Sequence, residues 1–242
     1  MAAVEDHHFW YRGLRDVLLR TLARRGLPEH PRVLDAGCGT GANLRALEEA
    51  FAPSYLGGFD LSEEALEHAR AKAPSAELYR ADIRSPRLPE RDLDLVVSLD
   101  VVYIAGADAC FEGLARLVHA LAPSGLFVLE VPAYEWLRSP HDVAVGGTER
   151  FTARQVSRLL ERLGLRVELS TYRLCALLPL VVLRRLPGML APPVEARSEL
   201  HSPPAPLLDA ALWRAIAAEN RLVERGVAMP WGSSVFAIGR RI

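Results

Sequence analysis

Three glycines mark the part of this 242-residue chain where a ligand could come closest to the backbone. They lie in the stretch VLDAGCGTGANLRAL (residues 33–47) as Gly37, Gly39 and Gly41, between a strand-like run and a helix-like run. Glycine lets the backbone turn tightly and contact a ligand, because it has no Cβ. The spacing also satisfies the G-x-G-x-x-G/A pattern of a dinucleotide site, with Ala42 in the last position, so the pattern alone does not identify the ligand.

Asp35 indicates which kind of ligand the glycine turn would hold. It lies two residues before the first glycine, at the end of the predicted strand. A carboxylate there would repel a pyrophosphate at the start of the helix, but it could accept a hydrogen bond from an ammonium group, directly or through water. These residues therefore favour a cationic ligand that carries an amino-acid group.

Over roughly residues 30–170, the sequence resembles the class I methyltransferases that use S-adenosylmethionine. VLDAGCGTG is similar to motif I of that family, which implies cofactor contacts at its aspartate and its glycines. GFDLSEEALEHAR supplies Asp60 and Leu61, where the family binds the two ribose hydroxyls, and the distance of about 20 residues from the turn also fits a ribose acceptor. ADI supplies Asp82 and Ile83, which resemble the adenine-binding pair.

DLVVSLDVVYI completes this resemblance. It supplies Leu99, Asp100 and Tyr103 after the fourth strand, and in the family these positions line the methionine arm and the substrate side. The resemblance implies S-adenosylmethionine as the cofactor and S-adenosylhomocysteine as the product.

Three further stretches are similar to a bacterial group within the type 11 and type 12 methyltransferases. One of them, ENRLVERGVAMPWGSSVFAIGRR, resembles the group's C-terminal helix and final strand. EDHHFWYRGLRDVLLR resembles the group's N-terminal helix, in which a cluster of His, aromatic and Arg residues covers the cofactor. HDVAVGGTERFT resembles its loop after the fifth strand, but Gly147 departs from that pattern, and Tyr103 and Ile104 replace a common Glu-His pair. These departures keep open a non-methylating role, as a cyclase or a binding protein.

Candidate catalytic residues follow from the chemistry that the resemblance implies. The sulfonium already activates its methyl group, so the protein must align a nucleophile with the S–CH3 bond and exclude water. A general base is needed only for a protonated acceptor, and His, Tyr and Glu can take a proton when burial tunes their pKa values. The candidates are Tyr11, His8, Tyr103 and His141, with His7 and Glu149 as further residues of suitable type. The spacing of His7, His8 and Asp142 does not match a metal site, so no catalytic metal is expected.

Composition bears on partners and location. A net charge of −1 and a pI near 6.7 offer no electrostatic case for binding nucleic acid. Three scattered cysteines indicate neither a disulfide framework nor a zinc site. The start of the chain lacks the features of a signal peptide, and the apolar stretch at 174–183 is about half the ~20 residues that a bilayer crossing needs. The sequence predicts a cytoplasmic protein without a transmembrane segment.

The order of the elements predicts an α/β fold. Apolar runs alternate with helical spacing, which favours a Rossmann-like, mostly parallel seven-stranded sheet with helices on both faces and an antiparallel last strand. The predicted strands are Arg32–Asp35, Tyr55–Asp60, Ala76–Ala81, Leu93–Leu99, Leu126–Val131, Val167–Tyr172 and Ser234–Gly239. The predicted helices are Ala42–Glu49, Ser62–Lys72, Ala107–Leu121, Thr152–Leu163 and Leu208–Val223, with Ser62 and Thr152 as N-caps and Gly125 and Gly164 as stops.

We expect one domain with a cap between its last two strands. Its predicted parts are N-terminal lid helices (1–29), a cofactor-binding core (30–174), the cap (175–230) and the final strand (231–242). Within the cap region, Leu174–Leu183 and Leu186–Ala191 are too apolar to lie bare, which favours an apolar small-molecule acceptor and allows a homodimer contact. The predicted function is methyl transfer to a small molecule in specialised metabolism. Besides the non-methylating role, the G-x-G-x-x-A match leaves an NAD(P)-dependent oxidoreductase as an alternative.

Overall fold

Seven strands form one sheet in the computed structural model, which describes residues 5–88, 92–183 and 206–242. The strands are β1 (Arg32–Ala36), β2 (Tyr55–Asp60), β3 (Glu77–Arg80), β4 (Leu93–Leu99), β5 (Leu121–Pro132), β6 (Leu165–Arg173) and β7 (Ser234–Arg241). Their order across the sheet is β3-β2-β1-β4-β5-β7-β6. Strands β1 to β5 pair in parallel, and β7 runs antiparallel to both β5 and β6. The predicted mostly parallel sheet with an antiparallel last strand is confirmed.

The helices follow the strands and cover both faces of the sheet. They are α1 (Phe9–Ala23), α2 (Ala42–Phe51), α3 (Glu63–Lys72), α4 (Val102–Ala105), α5 (Ala107–His119), α6 (Pro140–Ala144), α7 (Ala153–Arg162), α8 (178–183) and α9 (Pro206–Glu224), with a short 3-10 turn at Glu135–Leu137. One apolar core places Leu114 and Leu160 of α5 and α7 against the sheet, and a second places Leu18 and Leu47 of α1 and α2 against the opposite face.

Two of the predicted helix starts are capped as their residue types suggest. Ser62 Oγ accepts a hydrogen bond from the Ala65 amide at 3.2 Å. Thr152 forms a capping box with Gln155, so each side chain accepts from the backbone of the other residue. Gly164 follows α7 with a φ of +82°, as a helix stop requires.

The boundary between α5 and β5 was predicted wrongly. The helix ends at His119, and Leu121 already belongs to β5, where it pairs with Leu93. Leu121 is fully buried, so pairing in the sheet removes its side chain from water. Gly125 consequently lies inside the strand and does not stop the helix.

The N-terminal helix packs against the region predicted to form the cap. A Cβ at Gly13 of α1 would lie only 2.6 Å from Ile216 Cγ2 of α9, so glycine lets the two helices approach closely. Asn220 Nδ2 donates to the Gly13 carbonyl at 2.8 Å, and Arg12 forms an ion pair with Asp209 at 3.7 Å. The division into lid, core and cap stays a prediction, and Leu186–Ala191 lies outside the described residues.

No helix in the described part of the chain is both long enough and apolar enough to cross a membrane.

Candidate functional site

The carboxyl ends of β1 to β6 meet at one edge of the sheet, hereafter the carboxyl edge, where the three glycines form the β1–α2 turn. All three have positive φ values, of +91° at Gly37, +52° at Gly39 and +86° at Gly41. A Cβ at Gly37 would clash with Val101, and one at Gly41 would lie 2.8 Å from Ala69 Cα. At Gly39 a Cβ would meet nothing within 4 Å, so this residue presents open backbone to a ligand.

Asp35 lies beneath this turn in an environment that leaves its charge without a partner. It is 1% exposed, and neither carboxylate oxygen has a hydrogen-bond partner among the described residues. Burial, helped by the negative charge of Asp60, raises the pKa of Asp35 to about 8. Two buried acceptor atoms without a donor are costly unless a ligand supplies one, and an ammonium group would do so.

Asp60 holds the turn in shape from the end of β2. Its Oδ2 accepts from the Gly39 amide at 3.0 Å, and its Oδ1 accepts from the Ser62 amide at 2.9 Å. Each carboxylate oxygen has more than one acceptor site, so these bonds leave capacity for ligand hydroxyls. The next residue, Leu61, is 57% exposed at the rim.

Asp82 and Ile83 follow β3 as the sequence predicted, but Asp82 already has a partner. Its carboxylate accepts from the Arg84 amide at 2.9 Å and from Arg84 Nε at 3.0 Å. The hydrogen bond from the Arg84 side chain lowers the pKa of Asp82. Ile83 is 8% exposed and belongs to a core cluster. An adenine amino group would therefore have to share Asp82 with Arg84.

The chain turns sharply after Leu99, and the turn brings Asp100 to the carboxyl edge. Asp100 has a φ of +56°, and its amide donates to the Glu130 carbonyl at 3.0 Å. Its Oδ2 is buried without a hydrogen-bond partner among the described residues. Burial and the nearby charge of Glu130 raise the pKa of Asp100 well above its usual value.

Burial and a nearby carboxylate affect the two candidate tyrosines in the same way. Burial and the charge of Asp100 raise the pKa of Tyr11 to about 12, and they raise the pKa of Tyr103 further. Both hydroxyls therefore keep their protons at neutral pH and serve as hydrogen-bond donors rather than as ready bases. A Cβ at Gly147 would lie 2.7 Å from Tyr103 Cε2, so glycine lets the backbone approach the tyrosine ring. Gly147 and Tyr103, which both depart from the family pattern, are therefore neighbours.

The other catalytic candidates have structural partners or lie outside the described residues. His8 is 3% exposed and forms the N-cap of α1, where its Nδ1 accepts from the Trp10 amide at 3.3 Å. Burial lowers the pKa of His8. Glu149 Oε2 accepts from the Ala107 amide at 2.8 Å and caps α5. The side chain of His141, a residue of α6, lies outside the described part of the chain.

Two charged contacts at the carboxyl edge were not predicted from the sequence. The Glu5 carboxylate accepts from Thr40 of the glycine turn and from Lys72 of α3. Glu130 of β5 forms an ion pair with Arg173, the last residue of β6, and both side chains are almost fully buried. A single glutamate in the apolar run LFVLEVP was the available signal for the second contact.

Among the described residues, no group of three or more His, Cys, Asp or Glu side chains lies close enough together to hold a metal ion. The expectation of no catalytic metal stays a prediction.

Comparison with known proteins agrees with the motifs. Residues 33–125 match a family model described as a methyltransferase domain. The dTDP-3-amino-3,4,6-trideoxy-alpha-D-glucopyranose N,N-dimethyltransferase of Streptomyces venezuelae is 35% identical over 111 residues, which cover 45% of this chain and 46% of that protein. The chain thus spans less than half the length of this relative. The resemblance to the class I S-adenosylmethionine-dependent methyltransferases is confirmed over the matched part.

Solved structures share the fold across nearly the whole chain. An S-adenosylmethionine-dependent methyltransferase from Mesorhizobium loti superposes with a TM-score of 0.62 at 21% identity, covering 98% of this chain and all of that one. A geranyl diphosphate methyltransferase in complex with GPP and sinefungin gives a TM-score of 0.63 at 16% identity, covering 96% of this chain and 79% of that one. At these identities the likeness establishes the Rossmann-like fold alone.

Proposed function

We propose that this chain, whose residues 33–125 match a methyltransferase domain, transfers a methyl group from S-adenosylmethionine to a small-molecule acceptor. The proposal rests on the charge and the unused hydrogen-bonding capacity at the carboxyl edge. The Streptomyces venezuelae relative, named as a dimethyltransferase of a dTDP-amino sugar, supports an acceptor of small-molecule size.

The observation that carries the proposal is a set of three carboxylates around the open glycine turn. Asp35, Asp60 and Asp100 end or follow β1, β2 and β4, and the first and last of them have buried oxygens without partners in the described structure. A sulfonium and an ammonium group would stabilise the ionised form of these carboxyl groups, whereas a pyrophosphate would oppose their ionisation. The same observation disfavours NAD(P) as the cofactor.

Different residues along the carboxyl edge would contact different parts of the cofactor. Asp35 would accept from the ammonium group, and the backbone of Gly37, Gly39 and Gly41 would face the methionine and ribose parts. Asp60 would accept from the ribose hydroxyls next to Leu61. Asp82 and Ile83 would contact the adenine. Leu99 and Asp100 would contact the methionine arm.

When bound, the cofactor supplies a methyl group that its sulfonium has already activated. The protein's task is to hold the acceptor in line with that methyl group and to exclude water. Tyr11 and Tyr103 fit this task because their protonated hydroxyls can orient an acceptor atom beside Asp100. The segment before α1 reaches this edge, where Glu5 accepts from Thr40, so movement of this end of the helix would admit and release ligands.

The acceptor would lie under α1 and the cap. Leu174 and Leu177 are buried against Ile216, whereas Leu180 and Leu183 are 51% and 65% exposed. Part of the apolar cap sequence therefore packs within the chain, and the rest remains available to an apolar part of the acceptor. The expected homodimer and cytoplasmic location stay predictions, and light scattering would test the first.

Calorimetry tests the cofactor assignment directly. The chain should bind S-adenosylmethionine and S-adenosylhomocysteine but not NAD or NADP. Asp60→Ala should weaken S-adenosylhomocysteine binding at least ~10-fold, because it removes two charge-assisted hydrogen bonds of roughly 1.5–3 kcal/mol each. Asp94→Ala is a matched control, since Asp94 Oδ2 also accepts a backbone amide, that of Arg32 at 2.8 Å, but lies at the opposite edge of the sheet.

Tight NAD(P) binding, or unchanged affinity in a folded Asp60→Ala variant, would contradict the assignment. Methyl transfer itself requires a second measurement, which is product mass analysis with candidate acceptors. A mass increase of one methylene unit is expected, and a rearranged product of unchanged mass would instead indicate the non-methylating role.

A further inference from the structure

A buried ion pair at the carboxyl edge has more hydrogen-bonding capacity than the described structure uses. Glu130 and Arg173 are 0% and 1% exposed, and Arg173 Nη1 donates to Glu130 Oε1. Arg173 Nε and Nη2 have no hydrogen-bond partner among the described residues. A buried guanidinium with unused donors is costly, so such atoms indicate a place where a ligand group completes the structure.

Asp100 supplies the complementary unused acceptor. Leu99 pairs with Glu130 in the sheet, so Asp100 follows directly beside the ion pair, and its Oδ2 is buried without a partner in the described structure. The positive charge of Arg173 acts on Asp100 and opposes the rise in its pKa. Yet within the described residues no hydrogen bond or ion pair joins Asp100 to Arg173, so each keeps buried hydrogen-bonding atoms that are not used.

Helix α1 contributes to the surroundings of Arg173. Arg173 Nη2 lies 3.6 Å from the position of a Cβ on Gly13, so the guanidinium reaches α1. Burial and the charge of Asp100 raise the pKa values of Tyr11 on α1 and Tyr103 on α4.

The combination of unused donors and an unused acceptor selects a class of ligand. An acceptor's carboxylate would satisfy Arg173, but it has no proton to donate to Asp100 and would compete with the Glu130 carboxylate for the guanidinium. An ammonium group would satisfy Asp100 but would leave the donors of Arg173 unpaired. A hydroxyl group can donate to Asp100 and accept from Arg173 at the same time, and it adds no charge.

We propose that the unused atoms of the Asp100 carboxyl group and the Arg173 guanidinium together form an acceptor subsite that binds a neutral, hydroxyl-bearing part of the substrate. This inference rests on the proposed methyl transfer and narrows its acceptor to alcohols or polyols. Glu130 is then a positioning residue, because its Oε1 accepts from Arg173 Nη1 and holds the guanidinium in place.

Three small probes that share one ring separate the ligand classes. They are cis-1,2-cyclohexanediol, cyclohexylamine and cyclohexanecarboxylate, each titrated at millimolar concentration and followed by ligand-observed NMR. The chain is first saturated with S-adenosylhomocysteine, so the cofactor part is already formed. The diol should bind at least ~10-fold more tightly than the other two. Preferred binding of the amine or the carboxylate, or no binding of the diol, would overturn the proposal.

A paired substitution tests whether Arg173 is responsible. Arg173→Met alone would leave Glu130 buried and unpaired and could prevent folding, so Glu130→Gln is introduced with it. The double variant should lose diol binding at least ~10-fold and keep its affinity for S-adenosylhomocysteine within ~2-fold. Glu168→Gln with Arg240→Met is the matched control, because that ion pair lies near the opposite edge of the sheet.

The two proposals fail in different ways. If wild-type protein does not bind S-adenosylhomocysteine, the proposed function is wrong, whether or not the diol binds. If it binds S-adenosylhomocysteine but the folded double variant still binds the diol as wild type does, only the subsite is wrong. Circular dichroism and the retained cofactor affinity establish that the variant is folded.

Discussion

Cofactor affinity should depend on pH through Asp35. In the free protein, burial raises the pKa of this carboxyl group to about 8, so it is mostly protonated at pH 6. It must lose that proton before it can accept from an ammonium group. One pKa unit corresponds to ~1.36 kcal/mol, so two units between pH 6 and the pKa cost about 2.7 kcal/mol. S-adenosylhomocysteine should therefore bind ~100-fold more weakly at pH 6 than well above pH 8.

Calorimetry between pH 6 and pH 9 measures this dependence, and buffers of different ionisation enthalpy report the proton released on binding. Asp35→Asn has a similar shape but cannot ionise, so its affinity should lack the pH dependence that Asp35 contributes. Any titration of the ligand's own amino group occurs equally with both proteins and cancels in the comparison. Equal slopes for wild type and Asp35→Asn, or no proton released by wild type at pH 6, would refute the reasoning.

Four further outcomes are expected. Gly37→Ala should destabilise the fold through a clash with Val101 and a positive φ, whereas Gly39→Ala should remain folded and lose cofactor affinity, as urea unfolding and calorimetry would measure. Arg150→Met should cost about 3–5 kcal/mol of unfolding free energy, because Asp142 loses its buried partner, and adding Asp142→Asn should recover much of it. Without ligand, the contribution of Asp35 to the free energy of unfolding should be most favourable at acidic pH and should decrease as the pH rises from 3.8 towards 8. Over this range the melting temperature should therefore fall more in wild type than in Asp35→Asn. Amide exchange across residues 5–18 should slow when S-adenosylhomocysteine binds, and unchanged exchange would mean that α1 is a fixed part of the core.

Local patterns were sufficient to predict the glycine turn, two of the helix caps and the succession of strands and helices along the chain. A glycine turn after a strand and a cap at Thr152 depend mainly on residues within a few positions, so they can be predicted from the local sequence. The alternation of strands and helices likewise predicts a covered, mostly parallel sheet, because each apolar face must be buried.

The charged groups of the site depended on contacts that the sequence does not contain. Glu130 and Arg173 are 43 residues apart, and Asn220 reaches Gly13 across 207 residues, so only the folded sheet brings them together. Leu121 belongs to β5 rather than to α5 for the same reason. It pairs with Leu93 of β4, and this contact forms only in the folded sheet. The unpaired state of Asp35 is also a property of the fold, because burial there depends on everything packed around β1. Sequence therefore determined which residues could bind a cofactor, and tertiary structure decided which of them are buried, paired or left free for a ligand.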